Sequence, residues 1–362
     1  MKINNEKLKI KTYETIEKLK ELDVEKLVLT TLGNSISTGF SFNDDNIPLL
    51  ERNKYLQEAA SNNEIEIELH KFSRSENNSD EKIFNYIINN LSEKEIDELN
   101  IRDYNNHFRH NDNVTMTNPI TILYPRTSNE KIQNTLFNNK EKTTANIVIY
   151  NGGTGAFLDN ITRKGKHYFN NGINKDISYI EATLGLIQNS NRNKESNTQV
   201  YLCGAPRIVN TSLTNVMINS KLKIVVNRYS NVTYVDNFKR KPFYNINGKL
   251  TPDPHYNNEE YLYLNYLILD KIKDNYEIKK ILIELDRELQ KLNTEKEMGT
   301  YSKKTRCIVE DIIDYHSIKI KTIENRKKFL SECKKYLLER YPYDFAFLDY
   351  YSIKNCKKYI KR

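Results

Sequence analysis

The chain has 362 residues, 38% hydrophobic and 29% charged, the balance of a globular protein long enough for a core domain and an addition. Residues 1–26 alternate charge with apolar positions and hold no continuous apolar run, so no secretory leader is expected; no stretch reaches the roughly 18 apolar residues of a membrane span, and the expected compartment is the cytoplasm. The four cysteines, Cys203, Cys307, Cys333 and Cys356, lie far apart without a Cys-x-x-Cys pair, which excludes a disulfide framework and a structural zinc site. The formal charge of +8 falls on residues 271–362, with 23 Lys+Arg against 15 Asp+Glu, and leaves residues 1–270 balanced, so a nucleic-acid partner is not expected of the core.

Residues 5–22 carry Leu8, Ile10, Ile16, Leu19 and Leu22 at helical spacing and predict a helix beside a sheet. Residues 27–32, Leu-Val-Leu-Thr-Thr-Leu, predict a buried strand closed by Gly33-Asn34-Ser35. Ser35 thereby stands past the carboxyl end of the first strand, at the edge where open α/β sheets bind their ligands. Taken by itself, Gly-Asn-Ser is also an ordinary turn. A helix is predicted over 49–61. Residues 64–72 alternate polar and apolar with period two, the pattern of a half-exposed strand. They run into the polar cap-formers 73–80, ahead of an amphipathic helix through Ile83, Phe84, Ile87 and Ile88. Residues 92–144, with a charged helix at 93–100, a polar stretch and another helix near 128–138, read as an insertion.

Residues 145–150, Ala-Asn-Ile-Val-Ile-Tyr, predict a buried strand entering Asn151-Gly152-Gly153-Thr154-Gly155, a dense glycine cluster in a chain with 11 glycines. Glycines at a strand exit permit positive φ or close approach of backbone to a ligand. No Gly-Lys-Ser/Thr follows, and the spacing is not that of a dinucleotide-binding loop. A helix at 174–189, a strand at 199–203 with the exit Gly204-Ala205-Pro206-Arg207, a helix over 211–228 and a strand at 231–235 complete the alternation. Strands alternating with helices of about 15 residues predict a parallel sheet with helices on both faces. Residues 251–257, Thr-Pro-Asp-Pro-His-Tyr-Asn, read as a loop rigidified by proline before an amphipathic helix over 258–273, where the core ends.

From 274 the composition shifts. Ile278, Ile281, Leu282, Leu285, Leu289 and Leu292 form one helical stripe, and an aromatic group from Tyr341 to Tyr351 closes the chain. The predicted organisation is an α/β domain over 1–273, with the insertion at about 92–144, and a basic α-helical extension over 274–362. That extension packs on the core or pairs with a second copy or another protein.

By position, three strand exits and one late loop bring Ser35, the 73–78 segment, the 151–155 cluster and His255 to one edge of the sheet. The order and spacing resemble the SGNH/GDSL hydrolase family, esterases on a flavodoxin-like, three-layer α/β/α parallel sheet with a serine nucleophile at an early strand exit and an Asp/His pair near the end. The resemblance covers roughly residues 25–273 and does not extend into the tail. Gly33-Asn34-Ser35 resembles the first family block, which implies that Ser35 is the nucleophile and its own N–H an oxyanion donor. Asp253-Pro254-His255-Tyr256-Asn257 resembles the last block. It implies that His255 takes the serine proton and returns it to the leaving alcohol, with Asp253 fixing the imidazole tautomer. The family often places this acid three residues before the histidine, where this chain has Pro252.

Two blocks depart from the family pattern. The glycine of the second block has no counterpart in 73–80, leaving Ser75 or Glu76 to present a backbone donor. The third block reads Gly152-Gly153-Thr154-Gly155 in place of Gly-x-Asn-Asp, so Thr154 or Gly155 occupies the slot of the oxyanion asparagine. The Thr154 hydroxyl, the Gly155 N–H and the side chain of Asn151 are all candidate donors. Arg163 and His167 follow closely enough to hold an anionic or sugar-like substrate, as a solvated basic loop would also read. His107 and His110 lack carboxylates at metal-ligand spacing.

The resemblance implies a serine esterase acting on a small polar or sugar-like ester, without metal or organic cofactor. Two rivals share the residues: an acyltransferase using the same serine, and a binding or scaffold protein on a hydrolase core whose oxyanion site is incomplete.

Overall fold

The first strand, β1 (Lys26–Gly33), is buried from Leu27 to its end, as a strand covered on both faces must be. In the computed structural model, residues 4–33, 51–73, 143–151, 197–205, 212–237, 243–246, 249–252, 256, 258–294 and parts of 177–191 and 329–335 are described. Around β1 assemble β2 (Glu66–Ser73), β3 (Thr144–Asn151), β4 (Gln199–Cys203) and β5 (Val232–Val235) in the order β2-β1-β3-β4-β5. Every neighbouring pair is parallel, so the protein is an α/β fold with a five-stranded all-parallel sheet flanked by helices. β3 is buried at all positions, and Tyr150 and Tyr201 lie wholly inside. The alternation read in 64–72 is that of an edge: among the described strands β2 pairs on one side only, with Glu66 exposed and His70 buried.

Helix α1 (Asn5–Lys20) starts at Asn4, whose side chain accepts the Lys7 N–H at 3.0 Å. Leu8, Ile16 and Leu19 face inward, but Ile10 is 53% exposed, contrary to its reading as part of the apolar face. Two residues turn a helix by about 200°, which takes Ile10 off the face of Leu8 and brings Thr12 and Thr15 near it. Both threonines are buried, their hydroxyls donating to the Leu8 and Lys11 carbonyls at 2.7 Å, which removes the cost of burying them. Helix α2 (Tyr55–Asn62) begins later than the predicted 49–61. Residues 51–54 are not helical; the Asn53 side chain accepts the Tyr55 N–H at 3.2 Å and donates to Thr12 Oγ1 at 3.0 Å, so it starts α2 and ties it to α1.

Helical residues within 177–191 follow β3, and α3 (Ser212–Val226) separates β4 from β5. An antiparallel hairpin not predicted from sequence comes next, β6 (Phe243–Ile246) and β7 (Lys249–Pro252), with Ile246 opposite Lys249. Thr251 and Pro252, read as loop, belong to β7.

Helix α4 (Asn258–Thr294) runs unbroken where a helix ending at 273 was read. Its sequence contains neither glycine nor proline, so the change of composition near 274 gives the backbone no reason to stop. The chain divides into two compact units, Met1–Lys271 and Ile272–Arg362. In the first, α4 packs on α1: the Thr15 hydroxyl donates to the Leu269 carbonyl at 3.2 Å, and Lys11 pairs with Asp270 at 2.9 Å. In the second, Ile278, Phe329 and Cys333 form a buried cluster with Ile281, Leu282 and Leu330 against it.

Candidate functional site

The strand register sets the geometry of the sheet's carboxyl edge. Gly33 lies directly between Ser73 of β2 and Asn151 of β3, so the last residues of three adjacent parallel strands stand level. In a 2-1-3-4-5 sheet the direction of winding reverses between β1 and β3, and ligands bind in the crevice that this reversal opens. Gly33 closes β1 with φ 130°, a conformation that a side chain would strain, so the end of the strand requires its glycine.

Asn151 is 5% exposed and its side-chain Nδ2 has no hydrogen-bond partner. A buried amide left unpaired costs about 1–3 kcal/mol; among the side-chain atoms so left, Asn151 Nδ2 is a donor at the carboxyl end of a strand, the others being oxygens. Of the site residues named from sequence, the structure brings Gly33 and Asn151 together as register partners. Asn34, Ser35, Gly153, Thr154, Gly155, Arg163, Asp253 and His255 lie outside the described residues, as do Ser75, Glu76, His107, His110 and His167.

The next two strand exits are built from residues that sequence reasoning passed over. Beyond β4, the Asn219 side chain of α3 grips Ala205 twice: Oδ1 accepts its N–H at 2.8 Å and Nδ2 donates to its carbonyl at 3.0 Å. The Tyr234 hydroxyl donates to the same Oδ1 at 3.0 Å, and the Gly204 N–H bonds the Val235 carbonyl at 2.9 Å. Beyond β5, Asn237 is buried and its Nδ2 donates to the Tyr256 hydroxyl. Tyr256 meets Tyr261 edge-on, with ring centroids 5.3 Å apart. The Arg52 guanidinium lies 4.5 Å from the centre of the Tyr261 ring and donates to Asn258 Oδ1 at 3.1 Å. Only Tyr256 carried a sequence signal, its place beside His255; Asn237 and Arg52 lie far away in the chain and carried none.

No family model matches this chain, and no curated protein matches it.

Away from that edge, β1 and β2 carry a group of paired charges. Glu68 on β2 accepts from Lys26 at 2.9 Å and lies 2.7 Å from His70 Nε2. The Lys26 hydrogen bond holds its carboxyl below the ordinary carboxylate range, with His70 adding to the effect. His70 pairs with Thr30, three positions short of the strand exit, and has no place at the crevice. Cys203 and Cys333 are buried free thiols; burial pushes the first well above the ordinary thiol range and the second up to about 12, so neither is a nucleophile. Among the described residues, no group of three or more His, Cys, Asp or Glu side chains is arranged to hold a metal ion, and no helix is long and apolar enough to cross a membrane.

Proposed function

We propose that the protein is a serine esterase or acyl hydrolase of the SGNH type, on a flavodoxin-like three-layer α/β/α domain, with a C-terminal helical extension and a cytoplasmic place of work. The observation that carries this reading is the unpaired, buried Asn151 amide standing level with Gly33 across the β1–β3 crevice. Ser35 follows Gly33 by two residues, and consecutive Cα atoms are 3.8 Å apart, so its Cα lies within about 7.6 Å of the Gly33 Cα.

In this reading Ser35 Oγ attacks the ester carbonyl while His255 accepts its proton. The carbonyl oxygen becomes an oxyanion that takes hydrogen bonds from the Ser35 N–H and Asn151 Nδ2. Collapse breaks the ester bond, His255 passes the proton to the leaving alcohol, and the acyl group remains on Ser35. Water, deprotonated by His255, then releases the acid and regenerates the serine. Asp253 holds the imidazole in the tautomer that accepts from Ser35. Asn151 thus supplies the donor that the third family block lacks, and the unpaired amide supports it over Thr154 and Gly155. The substrate class is a small polar or sugar-like ester, with Arg163 as a contact for its polar end. The chemistry calls for no metal or organic cofactor.

A fluorophosphonate probe tests the nucleophile. Wild-type protein should be labelled stoichiometrically and Ser35→Ala not at all. Equal labelling of both, or labelling at another serine, removes the assignment.

A further inference from the structure

The contacts around Tyr256 reach beyond the triad, and the inference drawn from them rests on the reading of His255 as the base. We infer that Asn237 and Tyr256, backed by Arg52, are positioning residues that fix the peptide carrying His255 at the sheet's carboxyl edge.

Tyr256 follows His255 directly, so fixing the Tyr256 backbone fixes a point 3.8 Å from the His255 Cα. Tyr256 is 1% exposed, and its ring and its hydroxyl are held separately: the ring by the edge-on contact with Tyr261, the hydroxyl by Asn237. Asn237 stands two residues beyond β5, so this bond ties the His255 peptide to the end of a sheet strand. A second tie acts on the other side. Arg52, itself buried, covers the Tyr261 ring and bonds Asn258, three residues past His255. Buried polar bonds of this kind contribute little net stability. Their arrangement nevertheless spans from the β5 exit to the segment before α2, and it holds Tyr256 and Asn258, which follow His255 by one and three residues. A general base needs its proton acceptor placed to within a fraction of an ångström, and a misplacement of about 1 Å costs on the order of a hundredfold.

The test uses the full chain, 4-nitrophenyl acetate turnover, fluorophosphonate labelling and thermal melting. Tyr256→Phe keeps the ring on Tyr261 and removes the hydroxyl. It should lower kcat at least tenfold with KM nearly unchanged, and slow labelling of Ser35 by a similar factor. Because Tyr256→Phe leaves the buried Asn237 amide without its partner and can itself reduce folding, the double variant Asn237→Leu/Tyr256→Phe separates the two effects. Replacing both partners by apolar groups of like size should restore the melting temperature and leave kcat low. Recovery of kcat together with stability would make the pair a packing feature and overturn the inference, as would Ser35-dependent labelling that proceeds at the wild-type rate in Tyr256→Phe. If Ser35→Ala labels as wild type does, the hydrolase reading fails and takes this inference with it, so the two failures are distinguishable.

Discussion

Asn151 is a residue at odds with its surroundings. Asn146 on β3 is wholly buried and spends its Nδ2 on Thr198 Oγ1 at 2.7 Å, leaving an oxygen unpaired, whereas at the other end of the strand it is the donor of Asn151 that is left unpaired. The difference is one of place, since the carboxyl end of a parallel strand at the winding reversal is where a ligand arrives. If this amide stabilises an oxyanion, Asn151→Leu removes the donor at near-constant volume. It should lower kcat by about a hundredfold to a thousandfold with little change in KM, because the bond strengthens only as negative charge develops. Thr154→Val should then be almost silent in the same assay of short-chain aryl esters. The reverse outcome would assign the donor to the threonine hydroxyl.

At the scale of elements, the sheet shows which parts of a sequence speak plainly. β3, apart from Asn146, and β4 are apolar runs bounded by polar residues, and their limits were legible almost to the residue, because a strand buried on both faces leaves no periodicity to misread. The β6–β7 hairpin was missed although Asn247-Gly248, the two residues between its strands, is a strong hairpin signal; the strands are short and Pro252 drew the eye to a loop. Of the candidate site, Gly33 and Asn151 were legible as strand-exit residues and the structure sets them level; the clasps that shape the next strand exits were not, since Asn219 and Ala205, or Asn237 and Tyr256, meet only in the fold. The β4 exit offers a test of such a clasp. A methyl group on Gly204 would lie 2.9 Å from Asn219 Oδ1 and nearer still to the Tyr234 hydroxyl. Neither can retreat freely, because Asn219 is bonded to Ala205 on both its amide atoms. Gly204→Ala should therefore cost about 1–3 kcal/mol, read as a lower denaturation midpoint at unchanged slope. Adding Tyr234→Phe should recover part of the loss if the hydroxyl is the obstacle.

At the scale of the whole molecule, α4 serves two units: its first turns bury Tyr261, Leu264, Ile268 and Leu269 in the unit Met1–Lys271. A chain ending at residue 275 keeps those turns and the Thr15 and Lys11 bonds to Leu269 and Asp270. It should melt cooperatively with an α/β circular-dichroism spectrum, and a spectrum of an unfolded chain even with solubilising additives would show that the core needs residues beyond 275. The pairing order also bears on how such a chain reaches its native state. β4 meets β5 across one helix, but β1 must hold β2 on one side and wait for β3 on the other, Lys26 finding Thr144 only after the 74–142 stretch has been made. Closure entropy grows only logarithmically with loop length, each doubling adding about 0.6 kcal/mol, so that stretch takes little from equilibrium stability. Its weight falls on time instead: pairing so distant in sequence slows folding, and until β3 has been made the side of β1 that it will cover, up to Gly33, has no strand against it.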